Sequence, residues 1–405
     1  FLASQDGGEP VIQPLPPDHM AVEQLDGFRV RVSWSPVADP LEPSAFPAGY
    51  KVYMKEEDDG FSAGIYTTDT SLSITLTKWQ TLYSFRVTAL NSGGESFPGE
   101  TLSAALFQGQ NNPVLIVNAF DRICGPAVFD KGDMAGLAWW EDEGVPRGID
   151  YSFTGNQYDF SRNSDWKHDD SQGWGASFAD QEGNHLAGNL FDFPHVHGEA
   201  LRDAGFSFVS VSDEVFESPD FPVNRYSMAD IIFGEERGTP EFRDSSVIQY
   251  RLLTQGMMNT LGRYAEKGGN IFLSGAYIGT DMVENHDSVA IRFADKVLHF
   301  KWRSNHATNL GFVYATGWAG KDFCPQLQFN TKGRPDLYRV ESPDAIEPAG
   351  ENAYAIYRYT YGKSCAATAF RGPWRVIVLG FPFETIDSDG QRALLMNQVM
   401  DFFEK

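Results

Sequence analysis

Asn270-Ile271-Phe272-Leu273-Ser274-Gly275-Ala276-Tyr277-Ile278-Gly279 is the stretch on which the fold turns. It opens as an apolar run without polar alternation, which predicts a strand buried on both faces. The run then enters a turn bracketed by glycines and continues into Thr280-Asp281-Met282. Reading outward, four more runs have the same character: Val114 to Phe120, Ser207 to Ser212, Met228 to Gly234 and Arg375 to Phe381. Helical spacing lies between them. Val247, Tyr250, Leu253, Met257, Leu261 and Tyr264 recur every three or four residues and stop at Gly268-Gly269, and Asp389 to Phe403 reads as a terminal helix. Strands alternating with helices predict a three-layer α/β domain, a doubly wound parallel sheet over residues 113–405. Ligands in such sheets bind at the carboxyl ends of the strands.

Two connections exceed the usual few residues plus a helix. The first insertion, about 121–206, is read with a helix over 130–142 and then an aromatic, glycine-rich, acidic stretch. The second, about 299–374, reads as antiparallel strands at 311–316, 353–359 and 366–370.

The first hundred residues differ. Arg29 to Trp34, Tyr50 to Met54, Ser71 to Leu76 and Tyr83 to Leu90 alternate with period two between turn signals. That pattern predicts an all-β, immunoglobulin-like sandwich over residues 12–108. Glu56-Glu57-Asp58-Asp59-Gly60 reads as a solvated hairpin tip, with a calcium site as the other reading. The polar residues 108–113 read as a linker.

Composition excludes several function classes. The formal charge is −23, which disfavours phosphate backbones and anionic lipid. No apolar run approaches the ~18–20 residues of a membrane span, so neither nucleic-acid binding nor membrane insertion is expected. The three cysteines, Cys124, Cys324 and Cys365, fit no zinc module. Cys324 and Cys365 could pair in an oxidising compartment, or all three could be buried thiols.

The sandwich segment resembles a fibronectin type III domain. The likeness lies in Val32-Ser33-Trp34-Ser35-Pro36, in Gly49-Tyr50-Lys51-Val52-Tyr53, and in Tyr83 to Gly94. It implies that Tyr83 is a corner tyrosine tied to upstream backbone.

The second segment resembles the class I glutamine amidotransferase-like (flavodoxin-like) domains. Gly275-Ala276-Tyr277-Ile278-Gly279 stands where that family has its nucleophile elbow. Gly380-Phe381-Pro382-Phe383-Glu384 stands at its His-x-Glu segment. Tyr277 replaces the thiol and Pro382 the histidine, so of the Cys-His-Glu triad only Glu384 remains. A phenol of pKa ~10 is a poor acyl-transfer nucleophile, and glutamine amidotransfer is not expected. The whole chain also resembles secreted bacterial proteins that join these two domains and are often labelled xanthan lyase. Val117 to Arg122, Gly173 to Ser177, Gly188 to Asp192 and His197-Gly198 carry that likeness. It implies a secreted, periplasmic or cell-surface setting with envelope glycan or polysaccharide as the partner; a signal peptide would precede this sequence.

Candidate site residues follow. In Asp192-Phe193-Pro194-His195-Val196-His197-Gly198, an extended backbone would point His195 and His197 the same way. With Asp192 they could hold a divalent metal; otherwise one histidine caps the next helix and the other packs on aromatics. No other cofactor is expected. Trp166, Asp169, Asp170 and Trp174 could form a glycan platform, a calcium loop or an ordered surface loop. Asp121 and Arg122 end the first strand. With Glu235, Glu236 and Tyr277 they would line one strand-edge pocket, or else form structural ion pairs. The expected function is therefore binding of glycan or a partner at that pocket. The alternative is a polysaccharide- or peptidoglycan-acting hydrolase or lyase, with Asp121, His195, Tyr277 and Glu384 as catalytic residues.

Overall fold

The computed structural model describes residues 11–120, 128–137, 157–167, 173–176, 192–240, 247–319, 322–332, 337–360 and 364–404. The first strands are β1 (Asp18–Gln24), β2 (Arg29–Ser35), β3 (Gly49–Glu56), β4 (Ile65–Thr67), β5 (Ser71–Thr75), β6 (Tyr83–Asn91), β7 (Gly94–Glu95) and β8 (Leu102–Ala104). They form a sandwich: β1, β2 and β5 on one side, and β4, β3, β6, β7 and β8 on the other. Alternation drives it, because Val30, Val32 and Trp34 of β2 face inward while Arg29 and Arg31 face water. The hydroxyl of Tyr83 meets Thr77 Oγ1 at 2.8 Å and accepts from the Lys78 N–H at 3.1 Å. This is the expected tyrosine corner.

The second part starts with β9 (Val114–Asn118) and the hairpin β10 (Val128–Lys131) and β11 (Met134–Leu137). It continues through α1 (Phe193–Asp203), β12 (Phe208–Ser212), α2 (Asp213–Phe216), β13 (Ala229–Gly234), the short pair β14 (Thr239–Pro240) and β15 (Ile248–Gln249), α3 (Gln255–Glu266) and β16 (Asn270–Gly275). Then come α4 (Thr280–Glu284), α5 (Ser288–Phe293), β17 (Phe300–Ser304), β18 (Phe312–Ala315), β19 (Gln326–Gln328), β20 (Ala345–Pro348), β21 (Ala353–Tyr359), β22 (Cys365–Arg371), β23 (Arg375–Leu379) and α6 (Asp389–Glu404).

Strands β12, β9, β13, β16 and β23 pair in parallel, in that order. Counted along the chain the order is 2-1-3-4-5, a doubly wound arrangement whose switch point lies between β9 and β13. The apolar runs become these strands because both faces are covered; every residue of β9, β12 and β13 is buried. Beyond β23, strands β22, β21, β18 and β19 extend the sheet antiparallel, as the second insertion's pattern predicts.

Three local readings are corrected. Residues 128–137 form a hairpin turning at Gly132 (φ +71°) rather than the start of a helix over 130–142. The helix expected from Val247 starts at Gln255, because Thr254 caps it by accepting from the Met257 N–H at 3.0 Å. Residues 108–113 are no free linker: the Gln110 side chain binds Ser207 N at 2.6 Å and Gly205 O at 2.9 Å.

The sandwich also joins the α/β sheet directly. β1 pairs antiparallel with β12 through Ala21 and Val211, giving one twelve-stranded sheet. Ala105 and Phe208 exchange backbone hydrogen bonds of 3.1 and 2.9 Å. Ser210 Oγ accepts from Ser103 N and donates to Ser103 O, both at 2.7 Å. The outer edge of β12, a hazard if exposed, is thereby covered.

Helix α1 lies flat on β12 because Gly198 has no side chain; a Cβ there would meet the Phe208 ring at 2.2 Å. Gly198→Ala should therefore cost about 1–3 kcal/mol, although alanine is the better helix former by about 1 kcal/mol. A urea midpoint equal to or above wild type would refute the close packing.

Candidate functional site

Helix α1 begins at Phe193 with Pro194 in its first turn, so His195 and His197 do not share the face that an extended strand would give them. Residues two apart on a helix diverge by about 200°. The metal set His195, His197 and Asp192 is thereby corrected. Asp192 Oδ2 pairs with Lys55 Nζ at 3.2 Å. His195 turns to the sandwich, its Nδ1 3.1 Å from Ser84 Oγ. His197 turns inward.

His197 is fully buried between two carboxylates. Its Nδ1 lies 2.8 Å from Asp230 Oδ2 of β13, and its Nε2 lies 3.3 Å from Glu384 Oε2, just past β23. Tyr338 donates to Glu384 Oε1 at 2.6 Å, and the Phe383 ring packs on the imidazole with centroids 4.6 Å apart. Burial alone would push the imidazole down. Asp230 and Glu384 outweigh it and hold His197 up at about 9. Burial pushes the Asp230 carboxyl up, with His197 pulling against it, and raises the Tyr338 phenol well above its ordinary range. An imidazolium flanked by carboxylates is thus sealed in the interior. His197 thus meets Glu384 from a different element, α1, rather than from the segment around Pro382.

The elbow is sealed as well. Tyr277 is fully buried, its φ is negative, and the Arg237 guanidinium lies 5.2 Å above its ring. The strained backbone expected of a nucleophile elbow is absent at this residue. Gly279 serves close packing instead, since a Cβ there would meet Trp302 Cδ1 at 2.6 Å. Asp344, from the second insertion, sits on the turn. Its Oδ2 accepts from Gly279 N at 2.6 Å and Thr280 N at 2.8 Å, while Oδ1 accepts from Thr280 Oγ1 at 2.5 Å and Trp302 Nε1 at 3.3 Å. Burial pushes this carboxyl up to about 7 against those donors.

Glu235 and Glu236 follow β13 and are buried; Glu235 Oε1 accepts from Glu341 N at 3.2 Å. Residues 338–344 therefore cover the carboxyl edge near β13 and β16. Asp121, Arg122, Asp169, Asp170 and Cys124 lie outside the described residues. Of the expected catalytic residues, Glu384 is engaged by His197 and Tyr338, and His195 by Ser84. Cys324 and Cys365 are buried free thiols that donate to Gln326 O and Ala367 O.

Trp166 and Trp174 come together with ring centroids 5.4 Å apart, edge to face. Backbone bonds Lys167 N to Trp174 O (2.8 Å) and Trp174 N to Asp165 O (3.0 Å) fix the pair. Trp174 Nε1 is tied to Ala135 O at 2.9 Å, whereas Trp166 is 63% exposed.

Comparisons with known proteins bear on the first part of the chain. The family described as "Fibronectin type III domain" matches residues 15–105. Residues 15–105 form a fibronectin type III domain. Among solved structures, the chain is similar to the twitchin kinase region of C. elegans at 24% identity and TM-score 0.22, over 25% of this chain and 18% of that one. It is similar to the third fibronectin III domain of human KIAA0343 at 17% identity and TM-score 0.22, covering 27% and 94%. The domain of human fibronectin type III domain containing protein 3 gives 24% identity and TM-score 0.21, covering 26% and 96%. The chain thus spans less than a fifth of the twitchin structure. No curated protein matches it. Among the described residues no helix is long and apolar enough to cross a membrane.

Sequence reading missed Asp230, Tyr338 and Asp344. A signal existed for the first: a carboxylate inside the apolar run 228–234 must find a buried partner.

Proposed function

We propose that this chain is an extracytoplasmic protein that binds envelope glycan or polysaccharide without turning it over. Its fibronectin type III domain would be fused to an amidotransferase-like α/β domain that has lost its chemistry. The observation carrying this reading is the covered turn: Tyr277 is fully buried, and the Asp344 carboxyl sits on the Gly279 and Thr280 amides just beyond it. The exposed binding element is Trp166, an indole face of the kind that stacks on sugar rings, braced edge-on by Trp174. The extracytoplasmic setting rests on the likeness to secreted two-domain bacterial proteins.

The test is a panel of neutral and acidic bacterial polysaccharides, read for retention in affinity electrophoresis and for release of reducing or unsaturated ends. Wild type should be retained by at least one polysaccharide with no product formed. Trp166→Ala should weaken that retention about tenfold, the size of a lost stacking contact. Product formation that falls with Tyr277→Phe would overturn the non-catalytic reading. Retention unchanged by Trp166→Ala would remove the indole platform.

A further inference from the structure

The sandwich and helix α1 meet at a second polar cluster, separate from the His197 network. His195 is one side of it, and its side chain is only 7% exposed. Ser84 Oγ holds Nδ1 at 3.1 Å and is itself held by Ser103 Oγ at 2.8 Å. This leaves Nε2 facing two carboxylates. Asp58 Oδ1, from the hairpin between β3 and β4, lies 3.5 Å away, and Glu199 Oε1, one helical turn along α1, lies 3.9 Å away. These three ligand atoms all fall within 4.8 Å of one another.

Both oxygens are too far for good N–H···O hydrogen bonds, which run 2.7–3.2 Å. The spacing suits a shared ion better: ligand atoms about 2.0–2.1 Å from one tetrahedral zinc lie about 3.3 Å apart. The nearby cations are largely engaged elsewhere. Lys55 is on Asp192, and Arg202 contacts Glu57 and Asp203 and lies 3.9 Å from Glu199. A serine hydroxyl on the far ring nitrogen supplies the outer partner that metal-bound histidines use to fix their orientation.

We propose that Asp58, His195 and Glu199 form a divalent-cation site of the zinc class that clamps the sandwich hairpin onto helix α1. One imidazole with two carboxylates favours zinc over calcium, which takes oxygen ligands alone. Water would complete the coordination. Asp58 is 92% exposed, on the hairpin tip, where its side chain can adjust toward the ion.

The test uses tag-free, EDTA-treated full chain, titrated with zinc chloride by calorimetry and with cobalt chloride by visible absorption. Wild type should take up one equivalent of zinc, show tetrahedral cobalt bands and melt several degrees higher with zinc than without. Asp58→Asn, at an exposed position that cannot disturb folding, and Glu199→Gln should each weaken zinc binding at least tenfold and abolish the melting shift. No uptake at micromolar zinc would overturn the site. So would zinc binding that both variants leave unchanged, or a calcium response in place of a zinc one.

Discussion

His197→Ala should destabilise the protein by about 3–5 kcal/mol, the loss typical of breaking a buried ion pair from one side. Asp230 and Glu384 are both at most 1% exposed. Without the imidazole they face each other across a dry cavity, and one must take up a proton or the core must open. Domains of this kind hold only about 5–15 kcal/mol in all, so the variant should unfold at much lower urea. Adding Asp230→Asn and Glu384→Gln to the same chain removes the stranded charges and should restore at least half of the loss. Tyr338 can still donate to a glutamine oxygen. A single-variant loss below about 1 kcal/mol would show that the imidazole is not holding the carboxylates together. A triple variant no better than His197→Ala would locate the loss in packing against Phe383 instead.

The second large effect is a pH dependence centred on Asp344. Its folded carboxyl keeps a proton up to about 7, whereas an unfolded aspartate loses it near ~3.9. The sign follows from proton uptake: between those values the folded state binds more protons, so stability falls as pH rises. This contribution is complete below about pH 4 and gone once pH has risen through 7. Asp344→Asn mimics the protonated form. Its oxygen can accept from Gly279 N and Thr280 N while its amide donates to Thr280 Oγ1. The difference between Asp344→Asn and wild type should therefore shift in favour of the variant by about 2 kcal/mol from pH 5.5 to pH 8. Parallel urea midpoints across that range would rule the titration out.

Much of the architecture was legible because it rests on period and burial. The alternating strands of the sandwich, the apolar parallel strands and the terminal helix each follow from local pattern, and the tyrosine corner at Tyr83 from the fibronectin type III resemblance. The site was less legible, for identifiable reasons. Asp-Phe-Pro-His carries no helical periodicity of its own, so an extended reading of His195 and His197 is natural; α1 forms because Gly198 lets it lie on Phe208. Residue identity at 275–279 gave no sign of what covers that turn. Asp344 and Tyr338 lie sixty or more residues from the elbow, in an insertion whose pattern announces strands and nothing about where they fold back. The join between the two halves lies in Ser207 and Ser210, which look like ordinary strand residues until each hydroxyl is found bonded to backbone across the boundary.

That join limits how this sandwich can be recombined. A sandwich borrowed from another protein would bring a suitable fold but not a strand whose backbone meets the Ser210 hydroxyl, nor a first strand in register with Val211. A slip of one residue would turn the buried face of β1 toward water and carry β2 and β5 with it. The two halves of this chain are separable as patterns in sequence, yet the unit that can be inherited, transplanted or fused to a new neighbour is both of them together.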